Sequence, residues 1–246
     1  MIDALAPARL LGTADAERAL AVAYLSIGVV LVYLVLFDQG SVSDQRSPDQ
    51  VMELAKTTLD ETSGVNISLK TTDLPAGVTG VKEATGVGVH PPAFDGSLTV
   101  MLSGTDFNVP VIAVDNKVYA QIPLTPGWSD VDPAEYGAPD PATLMSPETG
   151  FSSLLPATEG LKQGESVRGG EDNKEVLTEY TGTVPDSAVR NILPGATGDF
   201  DATYTISADG ELREAVLTGV FYPNTESMTY TIGFEDYGTE QKITAP

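Results

Sequence analysis

From Val65 to the C-terminus, apolar residues keep returning at every second position. Val65, Ile67 and Leu69 alternate with Asn66, Ser68 and Lys70, and Leu98, Val100 and Leu102 share one side of the 94–104 segment. Val176, Thr178, Tyr180 and Gly182 continue the pattern, and 200–207, 212–221 and 228–234 close the chain in the same way. A period of two puts alternate side chains on opposite faces of an extended strand. The links are turn-sized. Asp115-Asn116 separates the apolar run Val111, Ile112, Ala113, Val114 from Lys117–Ile122, and Asp209-Gly210 is a second hairpin turn. Thr105-Asp106, Glu171-Asp172-Asn173 and Asn224 mark others. About nine to eleven strands in this order predict a single antiparallel meander. The Gly-rich 81–90 stretch reads as an edge strand with a bulge, and 162–170 as a weak strand.

Such a sheet has one apolar face to cover, and the sequence offers three covers. Ser47-Pro48-Asp49-Gln50 reads as a helix start with Pro at the first helical position. Val51, Leu54, Thr58 and Leu59 follow at helical spacing, and Gly64 ends the helix. After Gly127-Trp128-Ser129 the strand signal fades. Pro133, Pro139, Pro141 and Pro147 each sit where a short helix can begin. Met145, Phe151, Leu154 and Leu155 carry the apolar surface of those pieces, which together read as a movable cover. Pro185-Asp186 opens a third short helix with Ala188, Val189, Ile192 and Leu193, stopped by Pro194-Gly195. The fold class is therefore α+β, a single curved antiparallel β-sheet with helices on its concave face.

Ahead of this domain, Ala19–Phe37 (ALAVAYLSIGVVLVYLVLF) carries no charge. About 19 residues at 1.5 Å each match a bilayer core of about 30 Å. That is longer than the roughly 7–15 apolar residues of a cleaved signal. Arg9 and Arg18 precede the run, and Asp38 and Asp44 follow it. The positive-inside rule then makes 1–18 a cytoplasmic N-terminus and 19–37 a single-pass transmembrane anchor in the cell membrane. It makes 38–47 a linker and 48–246 an extracytoplasmic domain. Cleavage after Ser41-Val42-Ser43 and a buried core helix are the other two readings of this segment.

Composition narrows the function. Thirteen Lys and Arg against 35 Asp and Glu give a formal net charge of −22, which argues against nucleic acid and against adsorption to an anionic membrane. There is no Cys and one His, His90. That excludes disulfides and a lipid-modified Cys within the chain, and disfavours a His-rich metal site or a Ser-His-Asp triad. No cofactor or metal is expected. Asp130/Asp132 and Asp199/Asp201 lack calcium-loop spacing and read as caps and solvated turns. His90, beside Pro91-Pro92, reads as an exposed loop residue. Trp128, the single Trp, is either a plug at the sheet edge or a ligand contact. A secreted hydrolase is poorly supported without a G-x-S-x-G elbow.

The stretch VDNKVYAQ…GWSDVDPAEYGAPDPATLMSPETGFSSLL resembles the actinobacterial LppX/LprA/LprF/LprG cell-envelope lipoproteins. The matching residues are Asp115, Asn116, Tyr119, Ala120, Trp128, Ser129, Asp130, Asp140, Pro141, Ala142, Leu144, Pro147, Thr149, Gly150 and Phe151. The similarity runs from about Pro48 to the C-terminus. Members usually begin with a signal ending in a lipidated Cys; here the 19–37 anchor stands in its place. The resemblance implies a half-barrel sheet and helices enclosing an apolar cavity. It also implies non-enzymatic binding and transfer of multi-acylated lipids or glycolipids across the envelope, such as triacylglycerol, phosphatidylinositol mannoside or lipoglycan, sometimes with a membrane exporter as partner. Leu98 matches a position at the cavity mouth. The inward residues expected to line the cavity are aliphatic: Leu98, Val100, Leu102, Val111, Ala113, Val118, Leu144, Leu154, Leu155, Val189 and Ile192, with Phe151 the one ring. The rival reading is an envelope scaffold or accessory subunit of a membrane complex, with a filled core.

Overall fold

The computed structural model describes residues 46–136, 138–170 and 174–246. The cytoplasmic N-terminus, the anchor at 19–37 and nearly all of the linker lie outside the described residues, as does the turn at 171–173. No helix among the described residues is long and apolar enough to cross a membrane. Residues 46–246 form one compact unit with its own core.

Among the described residues, eleven strands build one sheet: β1 (Gly64–Lys70), β2 (Gly80–Val89), β3 (Ala93–Leu102), β4 (Thr105–Val114), β5 (Lys117–Ala120), β6 (Ser129–Val131), β7 (Glu159–Gly169), β8 (Glu175–Val184), β9 (Thr197–Ser207), β10 (Leu212–Val220) and β11 (Met228–Glu235). Their order is β6-β5-β4-β3-β2-β1-β11-β10-β9-β8-β7. Every pairing is antiparallel. The single meander is thus corrected to two meanders joined by a seam, β1 against β11, running from Asn66↔Glu235 to Lys70↔Thr231. The arrangement manages the sheet edges. A long strand left at an edge exposes a row of unpaired backbone groups. Here one edge is β6, three residues long. The other is β7, broken by two register shifts and carrying Lys162, Glu165 and Arg168.

The other departures have local causes. Strand β2 is internal, between β1 and β3. It has a bulge after Val81, but its glycines answer to packing, not to an edge. Gly86 lies opposite Gly96, and a Cβ on either would strike the Phe94 ring; a Cβ on Gly88 would meet Met145 Sδ at 2.6 Å. The β3–β4 turn falls at Ser103-Gly104, both with positive φ, two residues before the expected Thr105-Asp106. Asp115 and Asn116 take φ of +54° and +57°, as a primed two-residue hairpin turn requires.

Helix α1 (Pro48–Glu61) starts as expected. The Ser47 hydroxyl accepts from the Gln50 N–H, and the Gln50 side chain accepts from the Ser47 N–H, a reciprocal pair that satisfies two helix-end donors. Its buried face is rotated from the expected stripe. Met52, Ala55 and Leu59 are buried, while Val51, Leu54 and Thr58 are half-buried.

Because β6 and β7 are opposite edges, residues 132–158 must cross the whole sheet. They do so in 3-10 turns at Pro133–Tyr136, Pro141–Met145 and Phe151–Ser153, running into α2 (Leu154–Ala157). Pro139 and Pro147 lie between turns and start none. Asp140 caps the middle turn through the Ala142 N–H at 2.9 Å. A polar latch ties the cover to α1. Lys56 Nζ donates to Asp60 and, at 2.7 Å, to the Pro147 carbonyl, and the Ser152 hydroxyl donates to Asp60. The last helix, α3 (Asp186–Val189), is a single turn and does not reach 194; tight turns continue it to Leu193.

Candidate functional site

Between sheet and cover lie two apolar cavities. The first, ≈140 Å³, has its floor on the β1–β11 seam at Ile67, Leu69, Ile232 and Phe234. Leu144, Phe151 and Leu154 of the cover close it, with Val189, Ile192 and Leu193 at and beyond α3. The second, ≈280 Å³, stands over the N-terminal half of the sheet, on Val100, Leu102, Phe107, Val109, Val111 and Val118. Leu98, Ala138, Pro139 and Pro141 line both, so one partition separates them. Among the described residues, no charged side chain lines either cavity.

Of the residues expected from the sequence, Leu98 lies on the partition. Val100, Leu102, Val111 and Val118 line the second cavity, and Leu144, Phe151, Leu154, Val189 and Ile192 the first. Ala113 and Leu155 line neither. Both are fully buried: Leu155 belongs to the main core, and Ala113 to a smaller cluster whose Phe94 is its cross-strand partner.

The expectation of aliphatic walls is corrected. Phe94, Phe221, Phe234, Tyr222 and Tyr230 line the first cavity and Phe107 and Tyr136 the second. Few aromatics does not mean none inward, because rings are what a wide sheet uses to reach its cover. Phe151 and Phe234 meet as tilted rings at 5.1 Å, and Phe221 meets Phe200 at 4.8 Å and Tyr230 at 4.9 Å, both edge-on. The two phenols are satisfied: Tyr230 donates to the Val81 carbonyl at 2.6 Å and shares a hydrogen bond of 3.0 Å with Tyr222. Burial pushes both phenol pKa values up, so both are neutral donors. Among the described residues no buried side-chain polar atom lacks a partner. Ile67, Leu69, Ile232 and Phe234 were findable by parity, being inward positions of alternating strands. Ala138 and Pro139 carried no such signal.

The residues outside the walls fall into place. Trp128 is half-buried at the start of β6 and lines neither cavity, and Tyr119 is half-buried opposite Asp130. Tyr180 is buried opposite Tyr204. His90 is not an exposed loop residue: it is half-buried, with Nε2 3.2 Å from the Leu59 carbonyl in the last turn of α1. Asp130 pairs with Lys117 at 2.7 Å, Asp132 caps the Ala134 N–H at 2.9 Å, and Asp199 accepts from the Asp186 N–H.

An apolar void of about 150 Å³ stays dry and accepts a benzene-sized guest. Two such spaces with uncharged walls can hold hydrocarbon and offer nothing to a polar solute. The LppX_LprAFG lipoprotein family matches residues 47–244. The chain is similar in fold to LprF from Mycobacterium bovis, with TM-score 0.65 and 14% identity, covering 81% of this chain and 96% of that one. It is similar to the lipoprotein LppX of Mycobacterium tuberculosis, with TM-score 0.59 and 17% identity, covering 80% and 97%. No curated protein sequence matches the chain.

Proposed function

This chain belongs to the LppX_LprAFG lipoprotein family, and on that premise we propose that residues 48–246 bind acylated lipid between sheet and cover and transfer it without catalysis. The observation that carries the reading is the space itself: two adjoining cavities of ≈140 and ≈280 Å³ without a charged residue on their walls. A sixteen-carbon chain costs about 12 kcal/mol to expose to water at about 0.8 kcal/mol per methylene. A carrier therefore has to offer an interior as apolar as the bilayer. At roughly six carbons per 150 Å³, the two cavities together accommodate on the order of one acyl chain. Multi-acylated lipids or glycolipids enter when the cover lifts, which a segment of short 3-10 turns allows. Leu98, Val100, Leu102, Val111, Val118, Leu144, Phe151, Leu154, Val189 and Ile192 are the proposed alkyl contacts. The 19–37 segment holds the domain outside the cell membrane, within reach of a membrane exporter. A filled-core scaffold has no use for the empty space.

Native mass spectrometry before and after solvent extraction tests this. The expected result is an acyl-lipid adduct lost on extraction. Bare protein in every envelope preparation refutes the reading.

A further inference from the structure

Leu124 is fully exposed, at 107%. Its backbone is left-handed, with φ of +68°, a conformation a branched aliphatic residue adopts only at a cost. An apolar side chain is thus held out in water on unfavourable backbone. The position has a context. Leu124 lines the second cavity together with Ile122 and Pro123, and so does Leu102, which is 40% exposed. These residues form one lip for a structural reason. The Gln121 N–H donates to the Pro110 carbonyl at 3.0 Å. The loop after β5 therefore runs alongside β4 toward the end of the sheet where β3 turns at Ser103-Gly104. The two segments that carry the lip are themselves uncharged, bordered by the Lys82–Asp106 and Lys117–Asp130 ion pairs. Gly96–Thr105 and Val118–Ser129 contain no Asp, Glu, Lys or Arg, in a chain with 35 acidic and 13 basic residues.

The geometry points to this lip as a docking site for a lipid bilayer of uncharged surface. Leu124, Leu102, Ile122 and Pro123 enter the boundary between headgroups and acyl chains, and the second cavity opens directly behind them. The inference rests on the carrier reading and names the partner of its cavity mouth. A hydrocarbon chain leaving a membrane through water pays for each methylene exposed; a mouth seated in the membrane removes that passage. The acidic coat would be repelled by an anionic surface, so the part of the rim that approaches lipid has to be the part without charge.

The test uses residues 46–246 as a separate chain, the length matched by the LprF and LppX structures. Three quantities are read: co-flotation with phosphatidylcholine vesicles, transfer of a fluorescent phosphatidylcholine between vesicles, and loading of the fluorescent fatty acid cis-parinaric acid without vesicles. Leu124→Asn keeps the fold, because Asn accepts left-handed backbone; Leu124→Gly, which accepts it too, is the second variant. Flotation and transfer are expected to fall roughly tenfold in either variant, with parinaric loading unchanged. Equal flotation of variant and parent, or no flotation of the parent, with loading intact overturns the docking site and leaves the carrier reading standing. That outcome includes a lip that seats on a protein instead. Loss of parinaric binding in the parent, with flotation still dependent on Leu124, overturns the carrier reading and keeps the docking site.

Discussion

Leu98→Trp is the most direct probe of the partition between the two cavities. Leu98 is half-buried on β3 and lines both. The first cavity, at ≈140 Å³, is close to the roughly 150 Å³ that takes a benzene ring. An indole turned into either side therefore displaces about six ligand carbons, or roughly 5 kcal/mol at about 0.8 kcal/mol per methylene. That is a loss of about 10³- to 10⁴-fold in affinity at about 1.4 kcal/mol per decade. The fold itself is spared, because the ring enters empty space and not a packed core, where overpacking costs about 1–3 kcal/mol. Fluorescence titration with cis-parinaric acid measures the first effect and thermal unfolding the second. Unchanged parinaric affinity in a folded Leu98→Trp variant would refute the reasoning, since the ligand would then lie elsewhere.

The remaining predictions separate core, wall and latch. Leu155→Ala, in the packed core, should lose about 2–5 kcal/mol in denaturant unfolding, and Leu144→Ala, on a wall facing space, clearly less; equal losses would mean the first cavity is not open. Asp60→Ala strips the latch of its acceptor for Ser152 and Lys56. It should cost about 1–3 kcal/mol and speed amide exchange across 146–155, with unaltered exchange counting against a latch. Tyr204 is buried and its pKa is pushed up to about 12 by that burial. A raised folded-state pKa stabilises fully below the unfolded value near 10 and is lost as pH climbs through 12. Stability should thus fall by on the order of 2–3 kcal/mol between pH 10 and 12 from this residue, and Tyr204→Phe should flatten that part of the curve. Thr158 stays satisfied in that variant, since its hydroxyl also donates to the Leu154 carbonyl.

Strand parity is legible because it is local. Val65, Ile67 and Leu69 declare their face within a few residues, and the turns at Asp115-Asn116 and Gly210 declare their ends. Pairing is not local. Nothing between residues 64 and 70 says that the partner is 228–235, so the seam cannot be read there. Strand β6 is too short to show a period. The buried face of α1 is easily misplaced because Met52 and Ala55 weigh less in a pattern than Val51 and Leu54. The family resemblance reaches residues that parity also reaches, such as Leu98 and Val100. Whether their face is open or filled depends on how high the cover rides. That height is set by Lys56, Asp60 and Ser152 on one side, and by glycines 86, 88 and 96, which let Phe94 and Met145 settle close to the sheet. No window of sequence contains both.

The seam has a consequence for biosynthesis. Strand β1 emerges from the ribosome long before its neighbour β11, with nine strands between them in the chain. The first cavity gains its floor of Ile67 and Leu69 beside Ile232 and Phe234 only once β11 has emerged. A nascent chain can curl its N-terminal half and build the walls of the second cavity, but the first waits for the final strand. Loading of both cavities therefore follows the pairing of β11 with β1.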